Sequence, residues 1–311
     1  MNAMAGSWLP HEITSENIGT TDIVGWLAGL GQDELTKLLA ERKAVVFRGF
    51  GVTPESIGPV LEQAVPNRLP YVHGNSPRTK VGGNLYTSTE YPQEFTISMH
   101  NEMSYAHRWP KRLVFFCEIA PASGGATPVL DGELWLASLD AEVREAFADG
   151  VRYVQNLHDG FGFGKSWMDT FETDDRAEVE RFLEGTESEW EWGPEGIRII
   201  QFRRGTVQHP ITGTEVWFNQ ADQFHPAGLG DRMASALSDI LEPDEFPQHA
   251  TFADGSPIPD SYIEHIQNRG LELAVDVPWR PGDLMLIDNV LVAHGRRPFE
   301  GSRRVLVAMS D

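Results

Sequence analysis

The sequence predicts a mainly β fold, a jelly-roll barrel of short strands with helices packed outside it and one large insertion. Apolar segments of strand length recur along the chain, among them residues 198–202, 215–218 and 284–287. The 311 residues include 30 glycines and 20 prolines, which suits short strands joined by tight turns. Charged, helix-forming segments separate the strands, and helices outside a barrel cover the apolar faces of its sheets.

The first 63 residues show a helix, strand and helix in that order. Residues 32–42 and 54–63 have the apolar periodicity of helices, and the segment 43–50 between them reads as a strand. Charged, helix-forming sequence returns later in the chain and predicts further helices at residues 139–148, 174–184, 229–241 and 257–270.

One domain spanning residues 1–311 accounts for the length, because barrels with helical insertions commonly exceed the average domain size. Residues 132–210 form the predicted insertion and are rich in tryptophan, acidic residues and glycine. Long insertions in barrels often form lids, so we expect this segment to cover a site. The acidity of residues 174–184 is equally typical of a solvated helix face.

The charge of the chain excludes several classes of partner. A formal net charge of −21 and a pI of about 4.8 argue against nucleic acids and anionic membranes as partners, because both would be repelled. The single Cys117 lies in an apolar strand, where a buried small side chain is the simplest interpretation. With no disulfide, signal peptide or long apolar segment, a cytoplasmic protein is expected, and a homo-oligomer is compatible with the sequence.

Two histidines and a glutamate carry the main chemical signal. In a β-strand, His100 and Glu102 would point the same way with Cα atoms roughly 6.5 Å apart. An isolated His-x-Glu is common and is usually a surface or structural pair. A second imidazole from the distant His294 would complete the two-His-one-carboxylate triad of non-haem Fe(II) oxygenases, which leaves one face of the metal free.

Two further segments favour an iron site with an anionic co-substrate. After the turn Pro281-Gly282-Asp283 and a short apolar strand, the chain reaches His294, reverses, and returns through Arg303 and Arg304. An antiparallel return would place an arginine beside His294, and a guanidinium can hold a carboxylate by two parallel bonds. The second segment, Ser-Gly-Gly-Ala-Thr, supplies a glycine turn followed by the hydroxyl of Thr127.

The chain resembles the taurine dioxygenase-like (TauD/TfdA) superfamily of Fe(II)- and 2-oxoglutarate-dependent oxygenases over nearly its whole length. The sequence around His100 is most similar to that of syringomycin-type amino-acid β-hydroxylases and clavaminate synthase-like enzymes. The resemblance implies a double-stranded β-helix, which is the cupin-like form of the jelly roll. The motifs that carry it, in the order of the family, are Tyr-Thr-Ser-Thr-Glu-Tyr-Pro, His-Asn-Glu-Met-Ser-Tyr, Gly-Gly-Ala-Thr, Val-Trp-Phe-Asn-Gln and His-Gly-Arg-Arg-Pro-Phe.

The resemblance also implies roles for individual residues. His100, Glu102 and His294 would be the Fe(II) ligands, and Thr127 would hydrogen-bond the distal carboxylate of the co-substrate 2-oxoglutarate. O₂ would be the second co-substrate. Family halogenases have a small residue at the carboxylate position so that chloride can bind iron, and Glu102 therefore argues against halogenation.

The arginine that pairs with 2-oxoglutarate is assigned by the resemblance to Arg304, with Arg303 as the alternative. The choice is open because two arginines are adjacent and the spacing from His294 is one residue shorter than in the taurine enzyme. Four residues after its co-substrate arginine, that enzyme has an arginine for the substrate sulfonate. Ala308 stands at this position if Arg304 is the co-substrate arginine, so an alkylsulfonate substrate is not expected.

Four further residues are candidates for the site. Thr96 and Ser98 share the face of His100 by strand alternation, so either hydroxyl could meet the co-substrate. Arg78 is a candidate for a substrate carboxylate contact, and a surface salt bridge is its alternative. Asn219 lies in the Val-Trp-Phe-Asn-Gln segment, which the family places near the mouth of the active site.

The predicted activity is hydroxylation of an unactivated sp³ carbon, Cβ, of an amino acid that is free or tethered to a carrier protein in peptide-antibiotic assembly. Desaturation, epimerisation and cyclisation use the same oxidising chemistry and stay open as alternatives. Two alternatives belong to other classes, namely a metal-dependent hydrolase and a catalytically silent binding protein.

Overall fold

A computed structural model describes residues 8–74, 78–89, 91–229 and 239–311, and these residues form a mainly β structure. In chain order the strands are β1 (His11–Thr14), β2 (Ala44–Arg48), β3 (Lys80–Gly82), β4 (Leu85–Thr87), β5 (Ile97–His100), β6 (Arg112–Ile119), β7 (Ser123–Gly124), β8 (Thr127–Asp131), β9 (Val151–His158), β10 (Ser188–Gly193), β11 (Gly196–Arg203), β12 (Thr206–Gln208), β13 (Glu215–Trp217), β14 (Gln248–Phe252), β15 (Val275–Val277), β16 (Leu284–Asp288), β17 (Val292–Arg296), β18 (Phe299–Glu300) and β19 (Arg304–Ser310).

The helices lie outside the two main sheets and between their strands in sequence. They are α1 (Ser15–Ile18), α2 (Ile23–Arg42), α3 (Ile57–Ala64), α4 (Gly132–Ser138), α5 (Ala141–Ala146), α6 (Trp167–Phe171), α7 (Arg176–Glu184), α8 (Ala221–Phe224) and α9 (Asp260–Leu273), with 3₁₀ turns at Pro226–Leu229 and Pro243–Glu245. In the described ranges, none of these helices is both long and apolar enough to span a bilayer.

The larger main sheet has the strand order β1-β2-β16-β6-β19-β4-β3. Its central strands are apolar along most of their length, as in the sequence Leu-Val-Phe-Phe-Cys within β6, because both faces of this sheet are buried. One face packs against α2 and α3 in a core that includes Leu35, Leu61 and Phe116. The other face packs toward the second main sheet.

The second main sheet has the order β15-β8-β17-β5 and carries the residues of greatest chemical interest. Val129 and Val292 of this sheet share one apolar core with Phe115 and Val305 of the larger sheet, so the two sheets face each other. The mainly β prediction is confirmed. The closed jelly-roll barrel stays a prediction, because no strand ladder joins the two sheets in the described part of the chain.

The predicted insertion supplies three strands of a third sheet of order β10-β11-β9-β14, called the inserted sheet below, and β14 comes from later in the chain. A small core beside this sheet includes Trp167, Val179 and Ile199. The role of residues 132–210 as a lid stays a prediction. The predicted helices at residues 32–42, 54–63, 139–148, 174–184 and 257–270 all appear. α2 is interrupted at Gly31, whose φ of 76° and ψ of 164° are not helical, so a second helical segment starts after Gly31, where the helix at 32–42 was predicted. Most of the helix predicted at 229–241 falls on residues 230–238, which lie outside the described residues.

Candidate active site

The pairing of β17 with β5 brings two histidines together. His294 is the antiparallel partner of His100, and the centroids of the two imidazole rings are 4.4 Å apart. The Glu102 Oε2 atom lies 3.8 Å from His294 Nε2. One potential ligand atom from each of these three buried residues lies within 4.8 Å of the other two. Residues nearly two hundred positions apart in sequence therefore form one cluster.

The position of Glu102 differs from the strand that was predicted. β5 ends at His100, and Glu102 lies in the following turn, where Met103 has a φ of 57°. The carboxylate therefore reaches the histidines from a turn, and strand alternation does not explain its orientation. A positive φ at a non-glycine residue is uncommon, and the contacts around the turn must hold this conformation.

Burial keeps both imidazoles uncharged. Desolvation lowers the pKa of His100 below its ordinary value and lowers the pKa of His294 further, since His100 and Arg78 also disfavour a positive charge there. His100 Nδ1 donates to the carbonyl oxygen of Ser98 at 2.9 Å in the tautomer that leaves Nε2 with its lone pair. His294 Nδ1 is buried without a hydrogen-bond partner.

Arg78 is buried beside the cluster and does not form the alternative surface salt bridge. Its Nη2 donates to Glu102 Oε2 at 2.5 Å, and both side chains are almost fully buried. The guanidinium lies over the ring of Tyr71, 4.4 Å from the ring centroid. Its Nε and Nη1 atoms are buried with no hydrogen-bond partner, so two nitrogens of this arginine are free to donate to a ligand.

The arginine at the cluster is Arg303, and the placement of Arg304 there is wrong. Arg303 donates from Nε to the Gly125 carbonyl oxygen at 3.0 Å, and its Nη2 lies 3.4 Å from Thr127 Oγ1. Burial lowers the pKa of Arg303 to about 10, so it is charged at neutral pH. Arg304 is 43% exposed and pairs with Glu118.

Strand alternation explains why Arg303, and not Arg304, lies at the cavity. Val305 and Val307 of β19 belong to the core between the two main sheets, and Arg303 continues that face of the strand. Leu306 and Ala308 belong to the core under α2 and α3. The residue four positions after Arg303 is Val307 and not Ala308, and a valine likewise cannot bind a sulfonate.

Three other predicted positions do not line the cavity at the cluster. Thr96 is exposed and precedes β5. The Ser98 hydroxyl lies 3.4 Å from Gln223 Nε2, because an irregularity in the β17–β5 register breaks the alternation from His100. Asn219 donates to the Gly205 carbonyl oxygen at 2.8 Å and accepts from the Ala221 N–H at 3.1 Å, so its amide is used within the fold.

The cavity beside the histidines is small, about 30 Å³. Among the described residues it is lined by Arg78, Ser88, Thr89, Ile97, His100, Phe115, Thr127, His294, Gly295, Arg296, Arg303 and Val305. A larger cavity, about 470 Å³, lies at the edge of the inserted sheet beside Phe161 and Phe163 and contains none of the three clustered residues. Size alone therefore does not locate the chemistry.

Sequence reasoning missed several residues at the site. Trp279 Nε1 donates to Thr127 Oγ1 at 2.9 Å, and Ser88 Oγ accepts from Arg303 Nη1 at 3.3 Å. The ring of Phe115 packs 5.0 Å from that of His294. Ser88 lies in the Tyr-Thr-Ser-Thr motif and could have been found there, whereas no sequence signal marks Trp279 or Phe115.

Comparison with known families decides the class of this site. The model of the taurine catabolism dioxygenase TauD, TfdA family matches residues 8–309, which is nearly the whole chain. The chain belongs to the TauD/TfdA dioxygenase family. It is therefore an enzyme that uses Fe(II), 2-oxoglutarate and O₂. This result sets aside the metal hydrolase and the silent binding protein.

Two relatives extend the assignment of this TauD/TfdA dioxygenase. It is 35% identical to the dapdiamide synthesis protein DdaC of Enterobacter agglomerans, over 89% of this chain and 84% of that protein. It is 32% identical to a clavaminate synthase-like protein of Arabidopsis thaliana, over 88% of this chain and 83% of that protein.

Solved structures agree in fold. A taurine dioxygenase from Burkholderia xenovorans is 18% identical with a TM-score of 0.50, and the match covers 90% of this chain and 81% of the other. PvcB from Pseudomonas aeruginosa is 15% identical with a TM-score of 0.50, over 92% of this chain and 78% of that chain. At these identities the likeness concerns the fold alone.

The cluster of His100, Glu102 and His294 fits the Fe(II) ion that enzymes of this family use. Two imidazoles and one carboxylate are the donor set of non-haem Fe(II) oxygenases, and uncharged imidazoles are the form that binds metal. The unpartnered His294 Nδ1 shows that this ring is not committed to a hydrogen bond on that side. Arg303 and Thr127 together offer donors for a carboxylate in the same cavity.

Proposed function

We propose that this dioxygenase hydroxylates an unactivated sp³ carbon, Cβ, of an amino acid or amino-acid-derived molecule, either free or tethered to a carrier protein. The observation that carries the proposal is the cluster of His100, Glu102 and His294, in which a carboxylate occupies the third ligand position. A carboxylate there leaves no ligand position for chloride among the three side chains, which favours hydroxylation over halogenation.

In this proposal the chain's own residues supply ligands and orientation. His100, Glu102 and His294 hold Fe(II), and Arg303 with Thr127 holds the distal carboxylate of 2-oxoglutarate. Iron with 2-oxoglutarate supplies the activation of O₂ that oxidises a C–H bond and yields succinate and CO₂. Trp279 fixes the Thr127 hydroxyl, and Phe115 with Val305 contributes apolar surface that keeps water from the cavity.

The proposed substrate class rests on Arg78 and on one relative. Arg78, which lines the cavity, has two buried nitrogens without hydrogen-bond partners, and these suit the α-carboxylate or another anionic group of an amino-acid substrate. The name of DdaC places that relative in dapdiamide synthesis, which is consistent with a substrate derived from amino acids. Val307 in place of an arginine argues against an alkylsulfonate.

The test of iron dependence compares histidine variants. With Fe(II), ascorbate, 2-oxoglutarate and substrate, the protein should form succinate in an O₂-dependent manner, and His100→Ala or His294→Ala should abolish this. The control is His107→Ala, because His107 pairs with Glu187 away from the cavity. Full activity in both triad variants would show that these residues do not hold the metal.

The test of the reaction uses mass spectrometry of free amino acids, carrier-tethered thioesters and small peptides. Hydroxylation adds one oxygen to the substrate. A product that loses two hydrogens without gaining oxygen would indicate desaturation or ring closure, and an unchanged mass with inverted configuration would indicate epimerisation. Any of these products would replace hydroxylation as the reaction and leave the cofactor assignment in place.

A further inference from the structure

Two asparagines lie beside the three proposed iron ligands, and neither has a role in the activity described so far. Asn101 lies between His100 and Glu102, and Asn289 lies in the turn between β16 and β17. Both residues are fully buried. Burying an amide is costly unless its donors and acceptor are bonded, and every polar atom of these two side chains except Asn101 Oδ1 has a hydrogen-bond partner. These partners indicate what the side chains do.

Asn289 binds the backbone of the predicted carboxylate ligand. Its Oδ1 accepts from the Glu102 N–H at 2.8 Å, and its Nδ2 donates to the Glu102 carbonyl oxygen at 3.0 Å. The same Nδ2 donates to the Pro110 carbonyl oxygen at 2.8 Å. Glu102 has left the ladder of β5, so this one amide replaces the backbone bonds that a strand would have provided.

Asn101 in turn binds the backbone of the segment that contains Asn289. Its Nδ2 donates to the carbonyl oxygen of Asn289 at 2.6 Å and approaches that of Val290 at 3.4 Å. The turn that Asn101 holds leads directly into β17, which carries His294. Each asparagine thus binds the backbone of the segment that bears the other, and the two ligand-bearing segments are joined reciprocally.

We infer that Asn101 and Asn289 form a reciprocal brace that positions the Glu102 carboxylate against His100 and His294 for metal binding. This inference rests on the proposed role of the three residues as iron ligands. The positive φ of Met103 shows that the turn after Glu102 needs external contacts to keep its conformation. Neither asparagine contacts a ligand side chain, so both act as positioning residues.

Metal affinity distinguishes this role from a contribution to stability alone. Asn289→Asp keeps the shape and the acceptor for the Glu102 N–H but turns a carboxylate oxygen toward the carbonyls of Glu102 and Pro110. Mn(II) replaces Fe(II) as an O₂-stable probe, with free Mn(II) followed by electron paramagnetic resonance. We expect the Kd for Mn(II) to rise about 10- to 100-fold, as is typical when an outer-shell contact of a metal site is lost.

Asn156→Asp is the matched control. The Asn156 amide also donates to two backbone carbonyls, those of Asp244 and Phe246, but it lies in the inserted sheet. It should lower the melting temperature and leave the Kd unchanged. The visible spectrum of bound Co(II) adds a second measurement, since a displaced carboxylate alters the ligand geometry and loss of stability alone does not.

The outcomes distinguish a failure of the proposed iron ligands from a failure of the proposed asparagine brace. If the unmodified enzyme binds Mn(II) no more tightly than His294→Ala, the proposed ligand assignment fails. If the unmodified enzyme binds Mn(II) and folded Asn289→Asp binds it equally well, the brace is overturned while the ligands stand. Asn101→Ala, which buries no charge, decides the matter if Asn289→Asp does not fold. Failure of both variants to fold would assign the asparagines to stability and also overturn the inference.

Discussion

At the scale of single residues, the two adjacent arginines of the carboxyl-terminal strand give the sharpest test of co-substrate binding. Arg303→Ala should remove a charge-assisted contact worth about 2–4 kcal/mol and raise the KM for 2-oxoglutarate about thirtyfold or more. Arg304→Ala is the matched control, because its exposed pair with Glu118 should contribute little. Steady-state succinate formation measures both, and the reverse order would return the role to Arg304.

Arg78 offers a second residue-scale prediction, on substrate selectivity. In Arg78→Gln, the KM for a substrate with a free α-carboxylate should rise about 10- to 100-fold, while the KM for its carboxamide changes much less. Arg176→Gln serves as the control, since Arg176 also pairs with a carboxylate and lies over a tryptophan ring, but at the surface. Equal losses for acid and amide would indicate that Arg78 acts only through Glu102.

At the scale of elements, the close approach of β17 to β5 determines the distance between the two histidines. A Cβ atom at Gly295 would lie 2.5 Å from the carbonyl oxygen of Ile97, a backbone atom that cannot swing aside. Gly295→Ala should therefore separate the strands, lower stability by about 1–3 kcal/mol and weaken Mn(II) binding about tenfold. Calorimetry and metal titration measure the two effects.

The control for this strand pair is Gly58→Ala in α3, where an added Cβ meets no atom within 4 Å. That change should leave metal binding as it is. Wild-type Mn(II) affinity in Gly295→Ala would mean that the strand spacing does not govern the site.

Strands β19 and β5 show how much of the site could be predicted from the sequence. The phase of β19 follows from its buried valines, and continuing that phase backward by one residue selects Arg303. The same rule failed for Ser98 and Glu102, because a register irregularity interrupts β5 and the strand ends at His100. Local periodicity therefore held for β19, where the register shift leaves the extra residue on β6, and failed for β5, which carries the extra residue itself and ends at His100.

At the scale of the whole molecule, His73 connects the segment before the site to the inserted sheet. Its ring lies 2.9 Å from the Gln155 amide oxygen and stacks on Phe171, and burial lowers its pKa to about 4. The unfolded chain takes up this proton near pH 6.5 and the folded chain does not, so the stability that the uncharged ring contributes is lost as the pH falls.

The resulting prediction concerns stability against pH. Between pH 7.5 and 5, His73 alone should cost the folded protein about 2 kcal/mol of unfolding free energy. His73→Gln keeps a neutral donor toward Gln155 and should lose about 2 kcal/mol less over the same range. Urea unfolding at both pH values measures this, and parallel losses in the two proteins would show that His73 does not titrate as the burial implies.

The sequence by itself determined the mainly β class, the enzyme family and the three residues of the proposed iron site, because buried strands need continuous apolar segments and metal chemistry needs particular side chains. Only the tertiary structure decided that Arg78 pairs with Glu102 and that Asn289 holds the Glu102 turn. These contacts join segments far apart in the chain through sheet register and turn geometry. Sheet register and turn geometry cannot be predicted from the spacing of neighbouring residues, so no local sequence pattern indicates these contacts.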